Sequence, residues 1–228
     1  MRTERIPTAE WFLAAVLTGC GTSNGSGLAT TGTSSADASS GAGDSDSTSA
    51  EPVTCGAPGD EAATDQAIAA LAGCEVYRGD LTLLADVSSL EPLTSLRVIE
   101  GQVFLGGTNS PLAGLAGLEE LESVGKLSMN SHNLSSLEPL QSLQTVRGDF
   151  VFLSMFNLSD FRGLESLREI EGNFELTANP SLSSLDGLDG LQRVAGNFEA
   201  TSYMTPLPRA AVQELVDRIE IGGDVNID

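Results

Sequence analysis

From Gly79 onward, apolar positions fall into repeated blocks. The first block runs Val87, Leu90, Leu93, Leu96 and Ile99, each three residues after the last. Four more follow in the same strict steps of three: Leu112 to Val124, Leu134 to Val146, Leu158 to Ile170 and Leu182 to Val194. Such a step fits neither a long α-helix nor a flat strand. It suits a coil of short straight pieces and tight bends, each bend returning the chain to a core. Around these blocks stand Gly79, Gly101, Gly125, Gly148, Gly172 and Gly196, marking copies about 24 residues apart. After each glycine the pattern changes to alternation. Leu81/Leu83, Val103/Leu105, Leu127/Met129, Phe150/Phe152 and Phe174/Leu176 lie two and four residues past it. That alternation predicts a short strand with one face inward, and one strand per copy predicts a parallel sheet. The glycine is read as a bend that a Cβ would obstruct.

A fixed period of this length marks a solenoid, because one copy alone cannot bury its apolar face. The expected fold is mainly β: a right-handed parallel β-helix, or leucine-rich solenoid, with short capping helices. Residues 79–207 are assigned to the repeats, 55–78 to an N-terminal cap and 208–228 to a C-terminal cap. Within the caps, Ala62–Ala72 is expected to be a helix facing the first copy with Ile68 and Leu71. Pro208–Ile219 is expected to be an amphipathic helix with Val212, Leu215, Val216 and Ile219 on one side. Gly223-Asp224-Val225-Asn226-Ile227 then repeats the strand motif.

The pattern Gly-x-Phe-x-Leu, an Asn turn, then Leu-x-x-Leu-x-x-Leu-x-x-Val resembles the receptor L-domain type of leucine-rich β-helix. The resemblance covers about residues 74–228. It implies a three-sided coil, in a family that includes ligand-binding domains of growth-factor receptors, fungal wall proteins and bacterial surface lipoproteins. It does not specify a ligand. Horseshoe leucine-rich repeats are the alternative, but they usually place Leu-x-Leu directly after the ladder. Here one residue and the glycine intervene in most copies.

The first 54 residues have a different character. Arg2 and Arg5 precede the apolar run Trp11–Leu17, and Thr18-Gly19-Cys20 follows. This is the shape of an export signal. Leu17-Thr18-Gly19-Cys20 also resembles the lipobox of bacterial lipoproteins, which implies a signal peptide over 1–19 and lipid on Cys20. Glu4 and Glu10 depart from that pattern, and an ordinary secretory signal is the alternative. Residues 20–54 read as anchor and tether. From residue 21 the stretch is nearly all Gly, Ser, Thr, Ala and Asp, too polar to offset its ordering entropy by burial. A coil of this length spans roughly 30 Å root-mean-square. The expected location is therefore the cell envelope, held to a membrane by the N-terminal lipid. With Cys20 reserved for lipid, Cys55 and Cys74 are left to pair in an oxidising compartment, two free buried thiols being the alternative.

Net charge sharpens the picture. The chain of 228 residues carries −21 at pH 7, and its one lysine is Lys126. So acidic a surface repels phosphate backbones, and nucleic acid is not expected as a partner.

Catalytic motifs do not assemble. His132 is the single histidine and lies in a turn. Gly21-Thr22-Ser23-Asn24-Gly25 lies in the tether, without the strand and helix of a nucleophile elbow. Gly106-Gly107 lacks the Lys-Ser/Thr of a phosphate loop. Glu119-Glu120 and Asp186/Asp189 fall between ladder leucines and are read as a solvated rim. Asn109, Asn133, Asn157 and Asn179 recur once per copy and are read as turn-forming. Asn133-Leu134-Ser135 and Asn157-Leu158-Ser159 match glycosylation acceptors. No enzyme activity, cofactor or metal is expected.

One surface stands out. Thr82, Phe104, Ser128, Val151, Glu175 and Glu199 lie three past each glycine and should point outward. Leu84 and Leu153 lie one further alternate position on. Apolar Leu84, Phe104, Val151 and Leu153 flanked by acid form a candidate binding face for an extracellular protein or glycan. A purely structural envelope role and, further off, a hydrolase with an unrecognised site are the other function classes.

Overall fold

The computed structural model describes residues 51–107, 110–201 and 206–227. Cys20, the export signal, tether residues 21–50 and Asn109 lie outside them; the last tether residues, 51–54, are described, and Thr54 already belongs to a strand rather than to a tether. The described residues are mainly β, with fourteen strands in one sheet and every strand pairing parallel.

The first strands are β1 (Thr54–Cys55), β2 (Glu61–Ala62), β3 (Val76–Tyr77) and β4 (Asp80–Leu83). Two long ones follow, β5 (Val98–Gly107) and β6 (Ser123–Ser131). Short pairs then alternate: β7 (Thr145–Val146) with β8 (Phe150–Leu153), and β9 (Glu169–Ile170) with β10 (Phe174–Thr177). The last are β11 (Arg193–Val194), β12 (Phe198–Thr201), β13 (Glu220–Ile221) and β14 (Val225–Ile227).

Each copy gives two strand pieces, one before its glycine and one after. The after-glycine pieces pair in register through Ala62, Leu81, Val103, Leu127, Phe150, Phe174, Phe198 and Val225. The before-glycine pieces, unexpected from the sequence, pair through Thr54, Val76, Val98, Ser123, Thr145, Glu169, Arg193 and Glu220. Regular pairing thus begins at residue 54, one copy ahead of Gly79. The segment expected to be a cap already contributes strands, and its helix is shorter than expected: α1 spans Asp65–Ala69 and Ala62 lies in β2. Thr64 starts α1 by accepting the Ala67 N–H on its hydroxyl at 3.2 Å.

The step of three has a direct cause. Leu93, Leu118, Leu140, Leu164 and Leu188 each donate their N–H to the carbonyl three residues back, and the ladder residue after each repeats the pattern. Successive turns of three residues bring side chains at i and i+3 to the same side. All the ladder residues are therefore buried except Leu185, which is partly covered. Phe150, Phe174 and Phe198 stack through the core with ring centroids 5.1 and 5.2 Å apart, and each is fully buried.

The repeat-marking glycines have ordinary negative-region backbones, so they are not left-handed bends. Their role is close approach: a Cβ on Gly172 would strike the Gly148 backbone, and one on Gly196 the Gly172 backbone. Left-handed glycines do occur within the ladders, at Gly117, Gly163 and Gly187, with φ of +110°, +104° and +100°.

At the far end α2 (Arg209–Arg218) replaces a ladder, burying Val212 and Leu215. The disulfide Cys55–Cys74 joins β1 to the residue before Glu75, with Cα atoms 5.9 Å apart. Closing a loop of this size contributes about 3 kcal/mol. Cys55→Ser with Cys74→Ser is expected to lower the unfolding free energy by that amount, and intact-mass measurement should show a gain of two hydrogens on reduction of the parent. A doubly substituted chain as stable as the parent would show that the bridge constrains nothing.

Candidate recognition face

The after-glycine strands have two sides, and the sequence divides them by alternation. Leu81, Leu83, Val103, Leu105, Leu127, Met129, Phe150, Phe152, Phe174, Leu176, Phe198 and Ala200 point inward and are buried. Between them, Thr82, Phe104, Ser128, Val151, Glu175, Glu199 and Asn226 pair in register as one outward row. Phe104, Val151 and Leu153 are half-buried, and Leu84 is 38% exposed.

The face is not one continuous apolar patch, as the sequence suggested. Ser128 and Asn130 of β6 run through its middle, being the register neighbours of Phe104 and Gly106. On one side Leu84 and Phe104 close over Gly106: a Cβ there would lie 2.7 Å from the Phe104 ring and 3.3 Å from Leu84 Cδ2. Gly106 therefore acts as a seat for the ring. On the other side stand Val151 and Leu153.

The structure adds a pair that the sequence reading missed. Just past Leu153 the chain turns at Ser154, which has φ +55°, and Phe156 emerges 43% exposed. The His132 ring lies against it with centroids 4.2 Å apart. Both residues lie two before a ladder leucine, Leu134 and Leu158, and that shared position was the available signal. His132 is thus an edge of an aromatic pair rather than an isolated turn residue. The asparagines hold these turns, as expected. Asn133 Nδ2 donates to the Ser110 carbonyl at 2.8 Å, and Asn157 Nδ2 to that of His132 at 2.5 Å. Asn179 Nδ2 donates to the Phe152 carbonyl at 3.1 Å, and its Oδ1 accepts the Met155 N–H at 2.9 Å.

In four copies the residue after the glycine, Asp80, Asp149, Asn173 or Asn197, forms a second outward row of side-chain-to-backbone bonds. Asp80 Oδ1 accepts the Gln102 N–H at 2.7 Å, Asn173 Oδ1 that of Asn197 at 2.9 Å, and Asn197 Oδ1 that of Asp224 at 2.8 Å. Asp149 accepts the Asn173 N–H at 3.1 Å and pairs with Lys126 Nζ at 3.0 Å. The Asn173 N–H first, and the Lys126 ammonium second, hold the Asp149 carboxyl below its ordinary value of 3.8. A depressed carboxylate stabilises the fold fully above 3.8, and that contribution is lost as pH falls through the lower folded value. Asp149→Asn is accordingly expected to reduce stability at pH 7 and to flatten its decline below pH 3.8, as read by chemical denaturation across pH. A variant whose acid limb overlays the parent's would remove Asp149 from that role.

On the ladder side an open groove of about 500 Å³ is lined by Glu119, Glu138, Pro139, Gln141, Arg162, Gly163 and Glu165. Two of its carboxylates already have structural work: Glu119 accepts the Gly117 N–H at 2.9 Å, and Glu165 that of Gly163 at 2.9 Å. They cap the left-handed corners. Among the described residues no group of three or more His, Cys, Asp or Glu is placed to hold a metal ion, and no helix is long and apolar enough to cross a membrane.

Comparison with known proteins finds no family model, no curated protein and no solved structure that matches the chain.

Proposed function

We propose that the chain is a lipid-anchored cell-envelope protein that presents its outward strand face for recognition of an extracellular protein or glycan. In this reading the copies wind as a right-handed parallel β-helix of the receptor L-domain kind. Cys20 carries the lipid, and residues 21–54 tether the folded part to the membrane. The parallel register and the buried ladders support the winding. The Cys55–Cys74 bridge supports an oxidising location.

The observation that carries the recognition role is the contrast between two sides of the same strands. Inward positions from Leu81 to Ala200 are sealed, whereas Phe104, Val151 and Leu153 are only half-buried and Leu84 is exposed, with Phe156 beside them. An apolar cluster left open on a strand face is a candidate contact surface. The test is cross-linking on intact cells with the full chain and with Phe104→Ser/Val151→Ser. The variant should melt with the parent and lose the cross-linked product that the parent forms. Retention of that product would sink the face as the contact surface. In the same cells, palmitate label should enter the parent and not Cys20→Ser; equal labelling would remove the lipid anchor from the proposal.

A further inference from the structure

Glu175 and Glu199 are register partners on the adjacent strands β10 and β12. Neighbouring strands lie about 4.8 Å apart, and like charges directly opposite are destabilising. Among the described residues no cation forms an ion pair with either. The one ammonium on the outward rows, Lys126, is taken by Asp149. Against it those rows carry the carboxylates of Glu61, Asp80, Asp149, Glu175, Glu199 and Asp224. Val151 is the register partner of Glu175, and Leu153 that of Thr177, so the apolar half of the face borders the acidic half directly.

We propose that this border takes an extended basic segment of a partner protein, with an apolar side chain on Val151 and Leu153 and a lysine or arginine between Glu175 and Glu199. The inference rests on the outward strands being the recognition face. Charge complementarity selects the occupant: an acidic partner adds repulsion, and a neutral glycan leaves the glutamate pair uncompensated. Spacing agrees. From Val151 to the midpoint of the glutamates is one and a half strand separations, about 7 Å, which is the distance between residues i and i+2 of an extended chain. The segment would therefore cross the strands, presenting apolar and cationic side chains alternately on one side.

The full chain, purified in non-ionic detergent, is titrated by fluorescence anisotropy with a labelled nonapeptide, Thr-Val-Thr-Lys-Thr-Val-Thr-Lys-Thr. Three control probes are the same peptide with Glu for Lys, the same peptide with Gly for Val, and a neutral oligosaccharide. The Val/Lys peptide should bind, and all three controls should bind more weakly. Glu175→Gln/Glu199→Gln should weaken the Val/Lys peptide by about tenfold, as expected for two exposed charge contacts. Glu138→Gln/Glu214→Gln makes the same change in net charge away from the face and should leave binding within about twofold. No binding of the Val/Lys peptide, equal loss in both glutamine pairs, or tighter binding of the oligosaccharide would each overturn the inference. If Glu175→Gln/Glu199→Gln binds as the parent does while Phe104→Ser/Val151→Ser still loses its cross-linked product, the recognition face stands and its preference for a basic segment falls.

Discussion

Leu140→Asp is expected to abolish cooperative unfolding, leaving a chain with a broad, baseline-like denaturation profile. Leu140 is 1% exposed and occupies the third rung of its ladder, where Leu93, Leu118, Leu164 and Leu188 are equally buried. Its N–H is fixed on the Leu137 carbonyl, and its own carbonyl takes the Leu143 N–H, so the backbone holds the side chain on the core side. Truncating such a leucine costs about 2–5 kcal/mol before any charge is added. An unpaired carboxylate in the same place adds several more, because no cation faces it and burial disfavours its ionised form. The total rivals the whole stability of an ordinary domain, about 5–15 kcal/mol. Leu185→Asp is the matched control. Leu185 is only partly buried, so that substitution should shift the transition without erasing it. Far-UV circular dichroism through a urea titration reads both, and a Leu140→Asp curve parallel to the parent's would show that the rung is not part of a shared core.

Gly163→Ala is expected to cost about 3 kcal/mol, combining a left-handed backbone that disfavours any Cβ with overpacking against its neighbour. Gly163 has φ +104°, and a Cβ there would run into the carbonyl of Leu137 in the preceding copy. Gly117 stands in the same relation to Leu90, and Gly187 to Phe161. For a domain of this size the loss corresponds to a melting temperature lower by about 10 °C. Gly114→Ala tests the specificity of the argument, since Gly114 has open space where its Cβ would point and an ordinary φ. It should change stability by less than about 0.5 kcal/mol. Equal effects at the two glycines would contradict the close approach of copies at this corner.

These two cases mark what was legible in the sequence. The ladders could be read because each turn of three residues puts its apolar member on the same side, and a periodicity of that kind is written along one stretch of chain. The left-handed corners had a signal too. The residue before the middle ladder leucine is Pro92, Gly117, Pro139, Gly163 or Gly187, so one corner is built in two ways. Proline there accompanies a short three-residue helical turn, at Glu91–Leu93 and Glu138–Leu140, and glycine accompanies a left-handed one. The two-residue strands before each glycine were illegible. Thr145-Val146, Glu169-Ile170 and Arg193-Val194 are too short for alternation, and only pairing across copies makes them strands.

The strands of the first copy escaped, whereas the helix and strand of the last copy were legible in Pro208–Ile219 and Gly223–Ile227. Asp60 stands where later copies have glycine, and α1 and α2 substitute for runs of leucine. The outward strand face was partly legible. Alternation identifies Phe104, Ser128 and Val151 as successive outward positions, and the register places Ser128 between the two apolar residues. Phe156 belongs to no alternating stretch; its one signal was the position two before a ladder leucine that it shares with His132, and the turn at Ser154 brings it out.

Native-state amide exchange tests the shared core most directly. The N–H groups of Leu127, Phe150, Phe174 and Phe198 each donate to a carbonyl of the following copy, those of Asp149, Asn173, Asn197 and Asp224. If the copies rest on one common core, these four amides exchange only through global unfolding. They should share one opening free energy, equal to that from denaturant titration. Four distinct values, falling stepwise from one copy to the next, would mean that the copies open independently and would contradict the shared core on which the outward face depends.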